Sequence, residues 1–186
     1  MTKFHKSLGA AVLFLHASTV AGEPLPTGGI YTPKAPMQSI PMRVEVLDGT
    51  TFRDIETGVV YRLYGVDACQ RDQLANLGRQ PWQCGASAIA WLTTATLNKW
   101  VSCYPLREKD GRRLARCSSS EHADLAADML KDGLAVCLPG DEDQTVRAYL
   151  AAQDQARKAY RGVWSSQFAM PWDFRAKQAA SAKHDP

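Results

Sequence analysis

Three short runs rich in valine, tyrosine and leucine fill residues 43–66, broken at Asp48-Gly49 and again at Glu56-Thr57-Gly58. Polar, glycine-bearing breaks between such runs predict a three-stranded meander. Further on, residues 100–106 and 112–117 flank Lys109-Asp110-Gly111. That segment suits a three-residue hairpin loop with Gly111 in the left-handed position. In this register Glu108 faces Arg112 and Cys103 faces Cys117, so turn chemistry predicts a Cys103–Cys117 bridge. By the chain-entropy estimate such a loop is worth roughly 3 kcal/mol. Cys69–Cys84 is the next pairing, which leaves Cys137 as a buried thiol in the apolar run 134–138.

Helical signals lie between and after these runs. Residues 84–99 lack Gly and Pro after Gly85 and set Ile89, Leu92 and Leu97 on one stripe. A second helix opens at Ser120-Glu121-His122-Ala123, with Ser120 as its cap, and runs to about Lys131 before the stop at Gly133. A third, over 143–161, places Val146, Tyr149, Leu150, Ala156 and Tyr160 largely on one face and ends at Gly162. Five strands interleaved with about three helices predict an α+β fold, an OB-type five-stranded β-barrel with helices around it.

The flanks read differently. Lys3 and Lys6 precede an apolar stretch at 8–15 and the small residues Thr19-Val20-Ala21-Gly22, the pattern of a signal peptide over 1–22. The apolar stretch is too short to span a bilayer, and no later one is long enough, so no membrane span is expected. Residues 23–42 hold five of the ten prolines and read as an extended linker. Residues 43–175 have the composition of one globular domain, and 176–186 form a polar, alanine-rich tail expected to be flexible. The expected location is exported, in the periplasm or secreted.

Charge and residue counts exclude several functions. Without Lys3 and Lys6 there are 20 basic and 19 acidic residues, a net of +1. Nucleic-acid affinity must then come from a local patch, for which Arg107, Lys109, Arg112, Arg113 and Arg116 are the candidates. Five cysteines in an exported chain point to disulfides. With no Cys-x-x-Cys, and only His122 and His184 after residue 22, zinc ligation and a Ser-His-Asp arrangement lack material. The aromatics Tyr61, Tyr64, Trp82, Trp91 and Trp100 read as core, although Tyr64 shares a strand face with Arg62 and is a candidate base-stacking surface.

Three motifs carry chemistry. They are Asp48-Gly49-Thr50-Thr51, then Arg62 to Gln70 with Asp67-Ala68-Cys69-Gln70 at its end, then Asp110-Gly111-Arg112. In order and spacing they resemble the staphylococcal-nuclease (thermonuclease) family, which reads Asp-Gly-Asp-Thr, Arg-x-x-x-x-Asp-x-Pro-Glu and Tyr-Gly-Arg. The resemblance covers nearly all of 43–165 and implies the same barrel. It also implies a calcium ion held by two Asp, a Glu that activates water, and two Arg that clamp the phosphate. Arg62 and Arg112 match the two arginines, and Asp67 matches one calcium ligand. Thr50 stands where the second Asp ligand belongs, and Gln70 stands where the Glu belongs.

Each replacement has a chemical consequence. A hydroxyl at Thr50 removes a full negative charge from a small cluster that would hold calcium. The Gln70 amide can orient a water but cannot take its proton. The expectation is an exported pseudo-nuclease, or very weak nuclease, that keeps an Arg-lined pocket for an anion. The phosphate of a nucleic acid or nucleotide comes first, and an acidic polysaccharide second. One rival is an active calcium-dependent endonuclease with a substitute carboxylate, Asp72 first and Asp54 next. In another, Arg112 merely pairs with Glu108 on the surface. In a third, the chain is a partner-binding module. For the last, Gly162-Val163-Trp164 and Pro171-Trp172-Asp173 resemble an exported bacterial subset tied to exopolysaccharide (succinoglycan) gene clusters.

Overall fold

The computed structural model describes residues 38–140 and 143–182, so the segment expected to be a signal peptide (1–22) and most of the expected linker (23–42) lie outside the described residues. The first half contains β1 (Val44–Val46), β2 (Thr51–Asp54), β3 (Val60–Leu63), β4 (Val66–Asp67), β5 (Ala75–Leu77), β6 (Gln80–Trp82) and helix α1 (Cys84–Thr96). The second half contains β7 (Ser102–Lys109), β8 (Arg112–Ser118), α2 (Leu125–Lys131), β9 (Val136–Cys137), α3 (Gln144–Lys158), a 3-10 turn at Gly162–Ser165 and α4 (Pro171–Ser181).

The meander forms as the sequence predicts, and the five-stranded sheet runs β1-β2-β3-β8-β7. Its pairs are antiparallel except β3 with β8, which is parallel. Just before β1, Met42 and Val101 exchange hydrogen bonds of 2.9 Å, and Ser39 N–H reaches the Cys103 carbonyl at 2.6 Å. These contacts join the two edges of the sheet, the order and closure of an OB-type barrel. Alternation along each strand decides what lies inside. Phe52, Tyr61, Leu63, Cys103 and Ala115 face a core completed by Leu92 of α1 and Leu125 and Met129 of α2.

The hairpin corrects the expected turn. Its loop has two residues, Asp110 and Gly111, both with positive φ (51° and 70°), and Lys109 pairs with Arg112. Two consecutive positive φ angles make the type I′ turn that Asp-Gly favours, because its twist matches that of the strands. Glu108 therefore faces Arg113, not Arg112. The register shifts between Pro105 and Arg107, and below that bulge Cys103 again faces Cys117. Both expected bridges are present, Cys103–Cys117 and Cys69–Cys84. Proline, which cannot donate to the ladder, sits beside the irregularity, where such a residue is tolerated.

Other differences are local. Helix α2 is capped by Asp124, whose Oδ1 accepts the N–H groups of Ala126 and Ala127, and not by Ser120. The Ser119 N–H donates to the His122 carbonyl at 2.8 Å, and His122 Nδ1 lies 3.0 Å from Asp128 Oδ2. On α1 the buried stripe is Ala88, Leu92 and Ala95, while Leu97 has left the helix and is exposed. Trp100 is exposed as well, not part of the core. The tail expected from residue 176 is helical as far as Ser181, because α4 starts at Pro171 and continues through it. Around its start, Trp82, Trp164, Phe168, Met170 and Trp172 pack on Cys69, Cys84, Ala75, Val136 and Val163.

Cys137 is a buried free thiol, and burial first, then the nearby Asp154 carboxylate, pushes its pKa up to about 11. At pH 8 the folded protein is expected to resist alkylation at Cys137, and denaturant should expose it to rapid reaction. Mass spectrometry after iodoacetamide treatment reads this directly, and fast labelling of the folded protein would contradict the placement.

Candidate functional site

The outer face of β3 and β8 forms the floor of a cleft of about 600 Å³. Arg62 lies on that face because its neighbours Tyr61 and Leu63 are buried in the core, and alternation sends it the other way. In the parallel pair it sits beside Leu114, and Arg112 is two residues before Leu114 on the same face. The bulge decides the rest. Without the extra residue at Leu106, Arg107 and Lys109 would share the face of Cys103 and Arg112 would take the opposite one. With it, Arg107 is paired with Leu114 and Lys109 with Arg112, and all four line the cleft.

The opposite wall comes from two loops. Asp48 Oδ1 accepts the Thr50 N–H at 2.8 Å and the Thr50 hydroxyl at 3.2 Å, so this carboxylate folds back on its own turn. Thr50 is buried at 2% exposure. Gly49 is required there, since a Cβ would come within 2.9 Å of the Ala88 Cβ and 3.0 Å of the Ala68 Cβ. The second loop carries Asp67, whose side chain is 2% exposed. Asp67 Oδ1 accepts from Arg62 Nη2 at 2.8 Å and from the Ala68 N–H at 3.0 Å. Its Oδ2 accepts from Arg175 Nη2 at 2.6 Å.

Gln70 lines the cleft, and its amide donates to the Ala68 carbonyl at 3.3 Å. Its backbone N–H is held by Gln73 Oε1 at 3.0 Å, and Gln73 Nε2 donates to the Ala169 carbonyl at 2.6 Å. Gln73 is fully buried and ties the loop to the segment before α4. Sequence reasoning missed both Gln73 and Arg175. The signal for Arg175 was faint, a helix start at Pro171-Trp172-Asp173 with one arginine a few residues on.

The structure thus brings Thr50, Arg62, Asp67, Gln70 and Arg112 to one cleft. Among the described residues, five cationic side chains line it (Arg62, Arg107, Lys109, Arg112 and Arg175) against the carboxylates of Asp48, Asp67 and Asp110. Arg113 turns away and stacks over Tyr61. Tyr64 is buried outside the lining and supports Arg107 from below, with the guanidinium 5.7 Å from its ring centre. Its hydroxyl donates to Asp143, and that bond first, with the Val146 N–H next, holds the Asp143 carboxyl below the usual range.

The candidate substitute acids lie elsewhere. Asp72 is exposed, accepts from Gln178 Nε2 at 2.7 Å and does not line the cleft. Asp54 is tied up in its own turn by Thr57 and the Glu56 N–H. Burial pushes its carboxyl up, but these hydrogen bonds outweigh that and hold it below its ordinary value.

A family profile described as staphylococcal nuclease homologue matches residues 60–166, more than half of the chain. The chain belongs to the staphylococcal nuclease family. Curated relatives include "Probable endonuclease LCL3" of Saccharomyces cerevisiae, from strains RM11-1a and AWRI1631. Each is 32% identical over 126 residues, covering 62% of this chain and 45% of the relative. This chain therefore spans less than half the length of those relatives. Arg62, Asp67 and Arg112 meet in the cleft of this staphylococcal nuclease homologue beside Thr50 and Gln70. No helix among the described residues is long and apolar enough to cross a membrane. The two disulfides suit an oxidising compartment.

Proposed function

We propose that this cleft binds the phosphate groups of single-stranded nucleic acid or nucleotides and lacks efficient phosphodiester hydrolysis. The observation that carries the reading is the cationic floor facing a carboxylate, Asp67, whose oxygens are already bonded to two guanidiniums. Arginine forks suit phosphate oxygens in two-point contact, and hydrogen bonds between charged groups are the stronger ones. Proton transfer is what the site lacks. Hydrolysis needs a group that accepts a proton from the attacking water, and Gln70 stands where the family places a carboxylate.

The donor set also fits calcium poorly. Calcium takes six to eight oxygen ligands, with several carboxylates for affinity. Here Asp67 accepts three N–H bonds, Thr50 donates its hydroxyl to Asp48, and no group of three acidic, Cys or His side chains among the described residues is placed to hold a metal ion. A membership shared with a probable endonuclease supports nucleic acid as the ligand class, and the bridges together with the sequence of residues 1–22 support export to the periplasm or medium.

Fluorescence anisotropy with a short single-stranded oligonucleotide tests the reading, with an acidic polysaccharide as competitor. Arg112→Ala is expected to weaken binding roughly 10- to 100-fold, the value of one charged hydrogen bond. The wild-type protein is expected to leave the oligonucleotide uncut in millimolar calcium. Efficient calcium-dependent cutting by wild type would overturn the proposal, and displacement by the polysaccharide alone would reassign the ligand.

A further inference from the structure

The family match ends at residue 166, yet Arg175, which lines the cleft, comes from beyond that point. Its helix is not a loose end. Ahead of α4, Asn76 and Gln167 exchange backbone hydrogen bonds of 2.9 Å, and the Gln73 amide grips the Ala169 carbonyl. On α4 itself, Gln178 donates to Asp72, and Trp172 packs against the small apolar cluster that contains Cys69 and Cys84. This arm presents the guanidinium to Asp67 Oδ2 at 2.6 Å, with the Arg175 side chain 41% exposed and the carboxylate 2% exposed.

The consequence follows from the valence of one carboxylate. Asp67 Oδ1 is taken by Arg62 and the Ala68 N–H, which leaves Oδ2 as the oxygen that neither of them holds. Arg175 holds it. A divalent ion approaching Asp67 must displace a cation fixed to the same chain, which competes at a high effective concentration. It must also bind beside a guanidinium that repels it.

We propose that Arg175 is a tethered cation in the place of a metal: it occupies the second carboxylate oxygen of Asp67, excludes a divalent ion, and adds a permanent positive charge for a phosphate group. The last part rests on the phosphate-binding reading above, whereas the exclusion of the ion does not.

Calcium titration by isothermal calorimetry of the full chain separates these parts. The variants are Thr50→Asp, Thr50→Asp/Arg175→Gln and Thr50→Asp/Arg175→Lys. Arg175→Gln in the Thr50→Asp background is expected to strengthen calcium binding at least tenfold over Thr50→Asp alone. The lysine version, which keeps the charge on the same arm, is expected to bind no better than Thr50→Asp. Equal calcium affinity with and without Arg175 overturns the proposal, and so does tight calcium binding by wild type. A second measurement needs no variant: oligonucleotide binding by wild type should be indifferent to added calcium and to chelator, and loss of binding on chelation overturns the inference. If wild type binds no oligonucleotide but the calcium series behaves as expected, the phosphate-binding reading fails and the tethered cation stands.

Discussion

Arg62→Ala is expected to cost the fold about 3 kcal/mol and to remove oligonucleotide binding at the same time. Asp67 is a nearly buried carboxylate, and Arg62 supplies one of its three N–H bonds at 2.8 Å. Stripping one partner from a buried ion pair costs about 3–5 kcal/mol, because the remaining charge loses its compensation. Arg175 and the Ala68 N–H still hold Asp67 in the variant, which places the loss at the low end of that range. The two effects can be separated. In Arg62→Ala/Asp67→Asn the buried charge is gone, so urea unfolding should recover much of the lost stability, while the anisotropy signal stays absent because the phosphate clamp is still missing. A single Arg62→Ala variant that loses under about 1 kcal/mol and binds as wild type would assign Arg62 no role in either.

Arg62 was legible from the order and spacing of the motifs, and local alternation is the physical reason it reaches the cleft. A polar residue between two buried ones on a strand must point away from the core. The Cys103–Cys117 pair was legible for a related reason, since strand pairing near a tight turn propagates only a few residues. The same inference went wrong at the turn itself. The three-residue loop and the two-residue I′ turn differ by one in register, and the bulge before Arg107 absorbs that difference before the cysteines are reached. The correct bridge thus came from an incorrect loop. What the bulge changes is the face of Arg107 and Lys109, and no local rule announces it, because it satisfies the two ends of the ladder at once.

Arg175 and Gln73 were illegible for a different reason. Arg175 contacts a residue 108 positions earlier, and Gln73 grips a carbonyl 96 positions later. Neither sits in a periodic pattern whose face could be read. Helix α4 has only Pro171 buried among its residues, so no amphipathic stripe marks which side docks. The arm is placed by the aromatic cluster ahead of it and by side-chain-to-backbone bonds, which become visible once the chain is folded. The residue types at Thr50 and Gln70 could be read in the sequence. The Arg175 guanidinium bonded to the other oxygen of Asp67 could not.

Removing the Cys69–Cys84 bridge is expected to lower stability by about 3 kcal/mol and to weaken oligonucleotide binding as well, whereas removing Cys103–Cys117 should match the first effect and largely spare the second. The sequence separations are 15 and 14, so the loop-entropy contribution of the two bridges is nearly the same, roughly 3 kcal/mol. Their surroundings are not. Cys103 and Cys117 lie inside a hairpin ladder that continues to Lys109 and Arg112, and that ladder keeps Arg112 in place without the bridge. Cys69 is next to Gln70 and two residues from Asp67, in a segment with short two- and three-residue strands on either side. Its partner Cys84 begins α1, and Gly85 beside it lies so close to the loop that a Cβ there would come within 1.6 Å of the Gln70 carbonyl. The bridge therefore presses the Asp67–Gln70 loop against the helix and holds it at the distance at which Asp67 meets both guanidiniums. Urea unfolding and anisotropy on Cys69→Ala/Cys84→Ala and Cys103→Ala/Cys117→Ala measure the two effects side by side. Equal loss of affinity in both variants would mean that the hairpin, too, needs its bridge to present Arg112, whereas full affinity in Cys69→Ala/Cys84→Ala would mean that the Asp67 loop holds its shape through Gln73 and α4 alone.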